Sequence, residues 1–189
     1  MKGSFFRGTT HVCDYKYQKS FDNWLRRLVH PPQKVLGGWV KPGMTVIDAG
    51  CGIGYFSLGM AGLVGPGGKV ISVDLQDGAL AKLEQRAEKS GLDSIIETYK
   101  CEADTLGPLP KADFALAFWM VHETPDAGNF FKELHSALNR NSYMLFTEPP
   151  FHISKKRFEE EINLAEQAGF RFLGQPKIRF CKSALFERP

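Results

Sequence analysis

The stretch Val46-Ile-Asp-Ala-Gly-Cys-Gly-Ile-Gly54 decides the fold, because a short apolar run leads directly into three glycines at alternate positions. The run follows Pro42-Gly43, and its β-branched residues favour a buried strand. The glycines let the backbone approach a ligand without interference from a Cβ atom. A helix is predicted over about 55–64, and Gly65-Pro66 is a typical helix end. Strand, turn and helix together predict a nucleotide-type site.

The detail of this turn indicates which ligand it binds. The spacing is Gly-x-Gly-x-Gly, whereas a dinucleotide fingerprint needs its third glycine at the position of Tyr55. Asp48 lies two residues before the first glycine, where its charge would repel a pyrophosphate but suits a ligand with an ammonium and a sulfonium group. The turn is therefore predicted to bind S-adenosylmethionine. A Gly-x-x-x-x-Gly-Lys-Ser/Thr stretch is absent from the sequence, so a phosphate-binding P-loop is not expected.

Length, charge and cysteine content narrow the functional class. A chain of 189 residues favours one domain that can be stable without disulfides. The net charge of +3 is too small to predict a nucleic-acid partner. Four scattered cysteines, with no signal peptide and no apolar run long enough to cross a bilayer, predict a cytoplasmic protein without a membrane partner. His11, Cys13 and His152 do not form a recognised ligand set, so no metal is expected.

The remainder of the chain alternates strands with helices, which implies a parallel sheet. The segments predicted after the glycine turn are strands at 69–74, 95–101, 113–118 and 142–148, helices at 77–90, 125–139 and 154–168, and two final β segments near 170–180 and 184–187. Thr124-Pro125 is predicted to begin the second of these helices. The charged run 155–161 is predicted to be a solvated face rather than a nucleic-acid patch.

Residues 1–30 show no clean hydrophobic period but are rich in aromatic and basic side chains. We interpret them as an N-terminal arm or lid that precedes a domain at 31–189. A helix is predicted near residues 20–30. Its spacing is expected to pack four side chains on the body, namely Phe21, Trp24, Leu25 and Leu28.

Ligands of open α/β sheets bind outside the carboxyl ends of the strands, where the strand order reverses. Four predicted strand ends deliver useful side chains to that edge: Asp48, Asp74, Asp104 and Trp119. They offer an anion near a cationic methionine group, an anion for ribose hydroxyls, an anion for the adenine amine and an apolar wall. The combination is more specific than any of its parts.

Four motifs together resemble a class I S-adenosylmethionine-dependent methyltransferase of the compact ubiquinone/menaquinone-biosynthesis type. They are Val46–Gly54, Val70–Leu75, Cys101–Asp104 and Ala112–Phe118, and the resemblance covers roughly residues 33–189. It implies an α/β fold with a Rossmann-like, doubly wound seven-stranded sheet, mostly parallel with the last strand antiparallel. It assigns Asp74 to the ribose, Asp104 to the adenine amine, and both Gly50 and Gly52 to the methionine side. The full set of predicted cofactor-binding residues is Asp48, Gly50, Cys51, Gly52, Gly54, Asp74, Leu75, Ala103, Asp104, Phe118 and Trp119.

His122 and Glu123 lie in the exit loop of the fourth predicted strand, where the transferred methyl group should point. His122 has the ordinary pKa, near 6.5, of a general base that works at neutral pH. It can equally cap or position the loop, and the sequence leaves both roles open. We name His122 as the candidate catalytic residue.

The acceptor is not identified by the sequence. The chain has no inserted substrate domain, so the arm and the loops 119–128 and 148–154 must recognise the acceptor. Such an apolar lining with few polar groups favours a small molecule. The alternatives are methylation of RNA or protein, an S-adenosylmethionine-binding regulator without turnover, and a nicotinamide oxidoreductase, which Asp48 and Tyr55 oppose.

Overall fold

The computed structural model describes residues 24–189, with the backbone alone at residues 24 and 25. The strands are β1 (Thr45–Ala49), β2 (Lys69–Asp74), β3 (Ile96–Lys100), β4 (Ala112–Phe118), β5 (Leu138–Glu148), β6 (Arg171–Gly174) and β7 (Lys182–Arg188). They form one sheet in the order β3-β2-β1-β4-β5-β7-β6. β7 is antiparallel to β5 and β6, and the other neighbouring pairs are parallel. The predicted seven-stranded sheet with an antiparallel last strand is confirmed.

Helices cover both faces of this sheet. They are α1 (Trp24–Val29), α2 (Pro32–Leu36), α3 (Tyr55–Val64), α4 (Asp77–Lys89), α5 (Ala127–Ala137) and α6 (Lys155–Gln167), with a 3₁₀ turn at Val121–Glu123. Residues of α2, α3 and α4 share a core cluster with Val46, whereas α5 and α6 share the opposite cluster with Ile47. Successive strand side chains point to opposite faces, so a strand covered on both sides has to be apolar throughout.

The sheet topology determines where a ligand binds. From β1 the chain proceeds outward to β2 and β3, and it then returns to place β4 on the other side of β1. The strand order therefore reverses between β1 and β4, and a crevice opens at their carboxyl ends. The glycine turn after β1 and the 3₁₀ turn after β4 both lie at this crevice.

The start of α5 was predicted incorrectly. Thr124-Pro125 does not cap the helix, because the Thr124 hydroxyl donates a hydrogen bond to the Val121 carbonyl at 2.7 Å and closes the 3₁₀ turn. Asp126 is the N-cap instead, and its Oδ1 accepts a hydrogen bond from Asn129 N at 2.9 Å. The helix ends at Ala137, before the predicted boundary, because β5 begins at Leu138.

The penultimate β segment is also much shorter than the predicted 170–180. β6 stops at Gly174, where the register with β7 shifts and φ is 142°. Pro176 follows soon afterwards and cannot donate to a strand neighbour. Residues 175–181 therefore form a connecting segment, of which Phe180 lines the ligand crevice.

Leu28 of the N-terminal helix, one of the four side chains predicted to pack on the body, is exposed instead. Leu28 is 67% exposed, whereas the guanidinium of Arg26 lies 4.7 Å from the centre of the Tyr55 ring. The Tyr55 hydroxyl donates to the carbonyl oxygens of Arg26 and His30 at 3.3 and 3.0 Å. Residues two apart lie about 200° apart around a helix, so this contact turns Leu28 outward. The predicted inward placement of Leu28 is wrong. Residues 1–23 of the arm predicted at residues 1–30 lie outside the described residues, as do the side chains of Trp24 and Leu25, so the predicted packing of Phe21, Trp24 and Leu25 stays a prediction.

Within residues 24–189, none of the helices combines the length and the apolar character that a bilayer crossing requires.

Candidate active site

The glycine turn after β1 needs residues that tolerate positive φ. Gly50, Gly52 and Gly54 have φ values of 69°, 54° and 83°. A Cβ atom on Gly50 would lie 2.7 Å from the Cγ of Met120, and one on Gly54 would lie 2.1 Å from a methyl group of Leu83. Gly50 thus leaves room for the Met120 side chain, whereas Gly54 permits close packing of α3 against α4.

Asp74, the last residue of β2, is held by the backbone of the glycine turn. Its Oδ2 accepts a hydrogen bond from Gly52 N, and its Oδ1 accepts one from Gln76 N, both at 2.8 Å. Burial raises the pKa of Asp74 above its ordinary value, although these hydrogen bonds oppose the shift. A carboxylate offers about four acceptor positions, so part of its hydrogen-bonding capacity remains for the hydroxyls of a ribose.

A cavity of about 440 Å³ lies at this edge of the sheet, within the usual size range of ligand sites. His122 lines it, as do the predicted cofactor-binding residues Asp48, Gly50, Cys51, Gly52, Asp74, Leu75, Ala103, Asp104, Phe118 and Trp119. Gly54 is the one predicted cofactor residue that the structure places outside the lining, against Leu83. Eleven of the twelve site residues predicted from the sequence are therefore brought together.

Asp48 gives the cavity floor a buried carboxyl group. It is 3% exposed, and its Oδ2 accepts a hydrogen bond from the Ser57 hydroxyl at 2.6 Å. Burial raises the pKa of Asp48 to about 7, against the opposing effects of this hydrogen bond and of the Arg26 charge. A cationic ligand favours the ionised form of such a carboxyl. Asp48 and Asp74 therefore fit the cationic methionine group and the ribose of S-adenosylmethionine.

We expect the affinity for S-adenosylmethionine to rise about fivefold to tenfold from pH 6 to pH 7.5, because the bound cation requires ionised Asp48. The affinity rises with pH because the raised pKa leaves the Asp48 carboxyl mostly protonated at pH 6, so that it must release its proton when the cation binds. Calorimetric titration in two buffers of different ionisation enthalpy measures this proton release. Asp48→Asn should bind more weakly and lose the pH dependence, and an unchanged dependence in this variant would exclude Asp48 as its source.

The 3₁₀ turn after β4 carries His122, which forms a dyad with Glu148 at the end of β5. The Glu148 side chain is fully buried, and its Oε1 accepts a hydrogen bond from the His122 backbone N at 2.9 Å. Its Oε2 lies 2.5 Å from His122 Nδ1. With Nδ1 bound to a carboxylate, the neutral imidazole carries its proton there and leaves the lone pair on Nε2.

Two opposing effects determine the pKa of His122. Burial lowers it, but the hydrogen bond and charge of Glu148, together with the charges of Glu123 and Glu161, more than offset burial and raise the pKa above 6.5. The second ring nitrogen, Nε2, lies 3.9 Å from the Glu123 carboxylate. His122 is thus oriented by one carboxylate and made more basic by several, as a general base requires.

Glu161 was predicted to belong to a solvated face, and the structure corrects this. Its side chain is 4% exposed, while its neighbours Glu159 and Glu160 are 55% and 59% exposed. Glu161 shares the inner face of α6 with Phe158, Ile162 and Ala165. The spacing i, i+3, i+4 and i+7 was the available signal, and the surrounding run of charges obscured it.

Further side chains line the cavity without having been predicted individually, among them Arg26, Met120, Phe151 and Phe180. The first three lie in segments that were predicted to recognise the acceptor, namely the arm and the loops 119–128 and 148–154. Phe151 is 90% exposed and Phe180 is 55% exposed, so both leave aromatic surface beside the opening. Phe180 is marked by no local pattern, because the segment that carries it meets the other cavity-lining elements only in the folded chain.

The residues considered for a metal have different locations. His11 and Cys13 lie outside the described residues, whereas His152 lines the cavity with its ring centre 6.4 Å from that of His122. Among the residues that the structure describes, no group of three or more His, Cys, Asp or Glu side chains has an arrangement that could hold a metal ion.

Comparison with known proteins gives consistent similarities. A family model described as a methyltransferase domain matches residues 40–171. A demethylmenaquinone methyltransferase from Lactococcus lactis is 30% identical over 126 residues, which are 62% of this chain and 48% of that protein. A probable cobalt-precorrin-6B C(15)-methyltransferase from Pyrobaculum calidifontis is 35% identical over 75 residues, which are 39% of this chain and 38% of that protein.

One solved structure is similar to this chain over a larger share of its length than these two relatives are. The crystal structure of a SAM-dependent methyltransferase from Aquifex aeolicus superposes with a TM-score of 0.84 and 26% identity, and the match covers 94% of this chain and all of that one. By contrast, the matched segments span less than half the length of the two curated relatives.

Proposed function

Because the chain belongs to the family of methyltransferase domains, we propose that it transfers the methyl group of S-adenosylmethionine to a small-molecule acceptor held beside His122. This proposal rests on one observation: two sets of residues with different chemistry line the same cavity. Asp48 and Asp74 suit the donor, and the His122–Glu148 dyad suits removal of a proton from an acceptor.

When bound, S-adenosylmethionine supplies an electrophilic methyl group on its sulfonium. Asp74 accepts hydrogen bonds from the ribose hydroxyls while the backbone of Gly52 and Gln76 keeps its carboxylate in place. Asp48 neutralises positive charge on the methionine side. Asp104 accepts from the adenine amine, and its loop is fixed by the Asn129 side chain, whose Nδ2 donates to the Asp104 carbonyl at 3.1 Å.

At the acceptor end, the protein's main task is to hold two reactants in line at near-attack distance. Phe151 and Phe180 supply apolar surface for an acceptor. His122 Nε2 would take the proton of an acceptor hydroxyl or amine as the bond from that oxygen or nitrogen to the methyl carbon forms and the methyl–sulfur bond breaks, with the donor leaving as a neutral thioether. Glu148 keeps the imidazole oriented and stabilises its positive charge after proton uptake.

The named relatives support a small acceptor. One is a demethylmenaquinone methyltransferase and another a probable cobalt-precorrin methyltransferase, so both act on small molecules. The net charge of +3 also gives little attraction for RNA. We propose residues 31–189 as the methyltransferase domain and residues 1–30 as an arm that helps to recognise the acceptor.

Isotopically labelled S-adenosylmethionine tests this proposal. The protein is incubated with three separate pools, a metabolite extract, an RNA fraction and a protein fraction, and label transfer is measured in each. We expect label in one small-molecule product from the metabolite extract. Label confined to RNA or protein would contradict the small acceptor, and bound cofactor without any transfer would identify a regulatory protein instead.

A further inference from the structure

Behind the His122–Glu148 dyad lies a second buried carboxyl group that the proposed function does not use. Glu161 of α6 is buried. Its Oε1 accepts a hydrogen bond from Arg157 Nε at 3.2 Å. Its Oε2 is fully buried and has no hydrogen-bond partner among the described residues. A buried carboxyl oxygen without a hydrogen-bond partner lowers the stability of the fold, so its presence at this position requires an explanation.

Arg157 joins this carboxyl to the turn that carries His122. While Nε of Arg157 donates to Glu161, its terminal NH2 group donates to the His122 carbonyl oxygen at 3.1 Å. Glu148 holds the same residue from the other side, through the His122 backbone N and the ring. One guanidinium and one carboxylate thus fix both polar groups of the His122 backbone.

Carboxylates outnumber cationic side chains in this cluster. Glu161 is close enough for its charge to act on Glu148 and His122, and Arg157 is its cationic partner. Glu123 adds a third carboxylate next to His122. The amine of Lys182, which lies opposite Glu148 on β7, donates to the carbonyls of Pro150 and Ile153 instead. His152 faces the imidazole at 6.4 Å between ring centres.

Resting on the proposed role of His122 as a base, we propose that Glu161 and Arg157 are positioning residues that hold the catalytic turn and control the charge behind the His122–Glu148 dyad. Arg157 supplies the geometry through its two donated hydrogen bonds. Glu161 supplies the charge: when ionised, it stabilises protonated His122, and when protonated, it withdraws that support.

The protonation of Glu161 changes near neutral pH. Burial and the charge of Glu148 raise the pKa of Glu161 to about 7, and Arg157 and His122 only partly oppose them. The titrations of His122 and Glu161 are therefore coupled, so that loss of the proton from Glu161 makes His122 retain its own more firmly. Both groups therefore titrate in the pH range over which His122 changes from its protonated to its neutral form.

NMR titration of the histidine rings tests this coupling without any acceptor. His122 is assigned through the signal that disappears in His122→Asn, and the pKa of His122 is then compared between the wild type and Glu161→Gln. We expect Glu161→Gln to lower that pKa by about half a pH unit or more, the scale of one partly screened charge. Glu160→Gln is the matched control, because Glu160 is exposed on the same helix, and it should leave the pKa unchanged.

Equal pKa values for His122 in wild type and Glu161→Gln, or equal shifts in both glutamine variants, would overturn the role of the Glu161 charge. This result is independent of methyl transfer, so it can fail while the proposed function stands, and the reverse also holds. Arg157→Lys tests the geometry, since lysine keeps the charge but cannot span both acceptors. We expect a lower kcat with unchanged affinity for S-adenosylmethionine, and an unchanged kcat would contradict the positioning role.

Discussion

Replacing His122 with alanine should lower the turnover number about 10²-fold to 10⁴-fold, the usual contribution of a general base, with little change in affinity for S-adenosylmethionine. The reason is spatial as well as chemical. His122 lies on the 3₁₀ turn after β4, while the predicted carboxylate contacts to the donor, from Asp48, Asp74 and Asp104, come from the ends of β1 and β2 and the segment after β3. Turnover is measured on the acceptor identified by label transfer, and donor affinity by calorimetry.

His122→Asn separates proton transfer from positioning. Asparagine can still donate a hydrogen bond to Glu148, but it cannot take up a proton. We expect its turnover to be as low as that of the alanine variant. Activity close to wild type would exclude proton transfer by His122 and leave it an orienting role. His135→Asn is a suitable control, because this histidine packs against Phe170 away from the cavity and should keep full activity.

Asp74→Ala is expected to weaken S-adenosylmethionine binding about 10-fold to 150-fold, since hydrogen bonds to a charged group contribute roughly 1.5–3 kcal/mol. The change removes the predicted ribose acceptor and also leaves the backbone N–H groups of Gly52 and Gln76 without the carboxylate that they bind. Both effects act on the donor end of the cavity. Calorimetric titration of the folded variant gives the affinity directly.

The neighbouring residue Asp77 provides the control for this experiment. Its side chain is 85% exposed, lies in the first turn of α4 and pairs with Lys100 at 3.5 Å. Asp77→Ala removes a carboxylate from the same region without touching the cavity lining. It should bind S-adenosylmethionine with wild-type affinity. Equal affinities for the Asp74 and Asp77 variants would show that Asp74 does not contact the donor.

The donor end of the cavity could be predicted from the sequence because its signals are local. The glycines at 50, 52 and 54 adopt the positive φ values for which glycine is preferred, and β2 ends on Asp74 as its apolar pattern indicates. Each feature is encoded within a few residues. The sheet order then follows from alternating strands and helices, together with the resemblance to a known family.

The acceptor end depends on contacts that no local pattern encodes. His122 and Glu148 are 26 residues apart, and they meet because β4 and β5 lie side by side in a particular register. The N-cap of α5 was predicted incorrectly because Thr124 uses its hydroxyl within the preceding turn. Leu28 was placed inward because helical spacing alone does not say which face meets the body.

The pH dependence of turnover in wild type and Glu148→Gln tests the central claim, that a His122–Glu148 dyad acts as the base in this cavity. In the wild type, turnover should rise with pH through an apparent pKa above 6.5, because protonated His122 is inactive and Glu148 favours its protonation. Glu148→Gln should move this rise to lower pH, since burial then lowers the pKa of His122 against only the smaller effects of Glu123 and Glu161, and it should reduce the maximal rate. A wild-type profile without this rise, or one that Glu148→Gln leaves in place, would contradict the account.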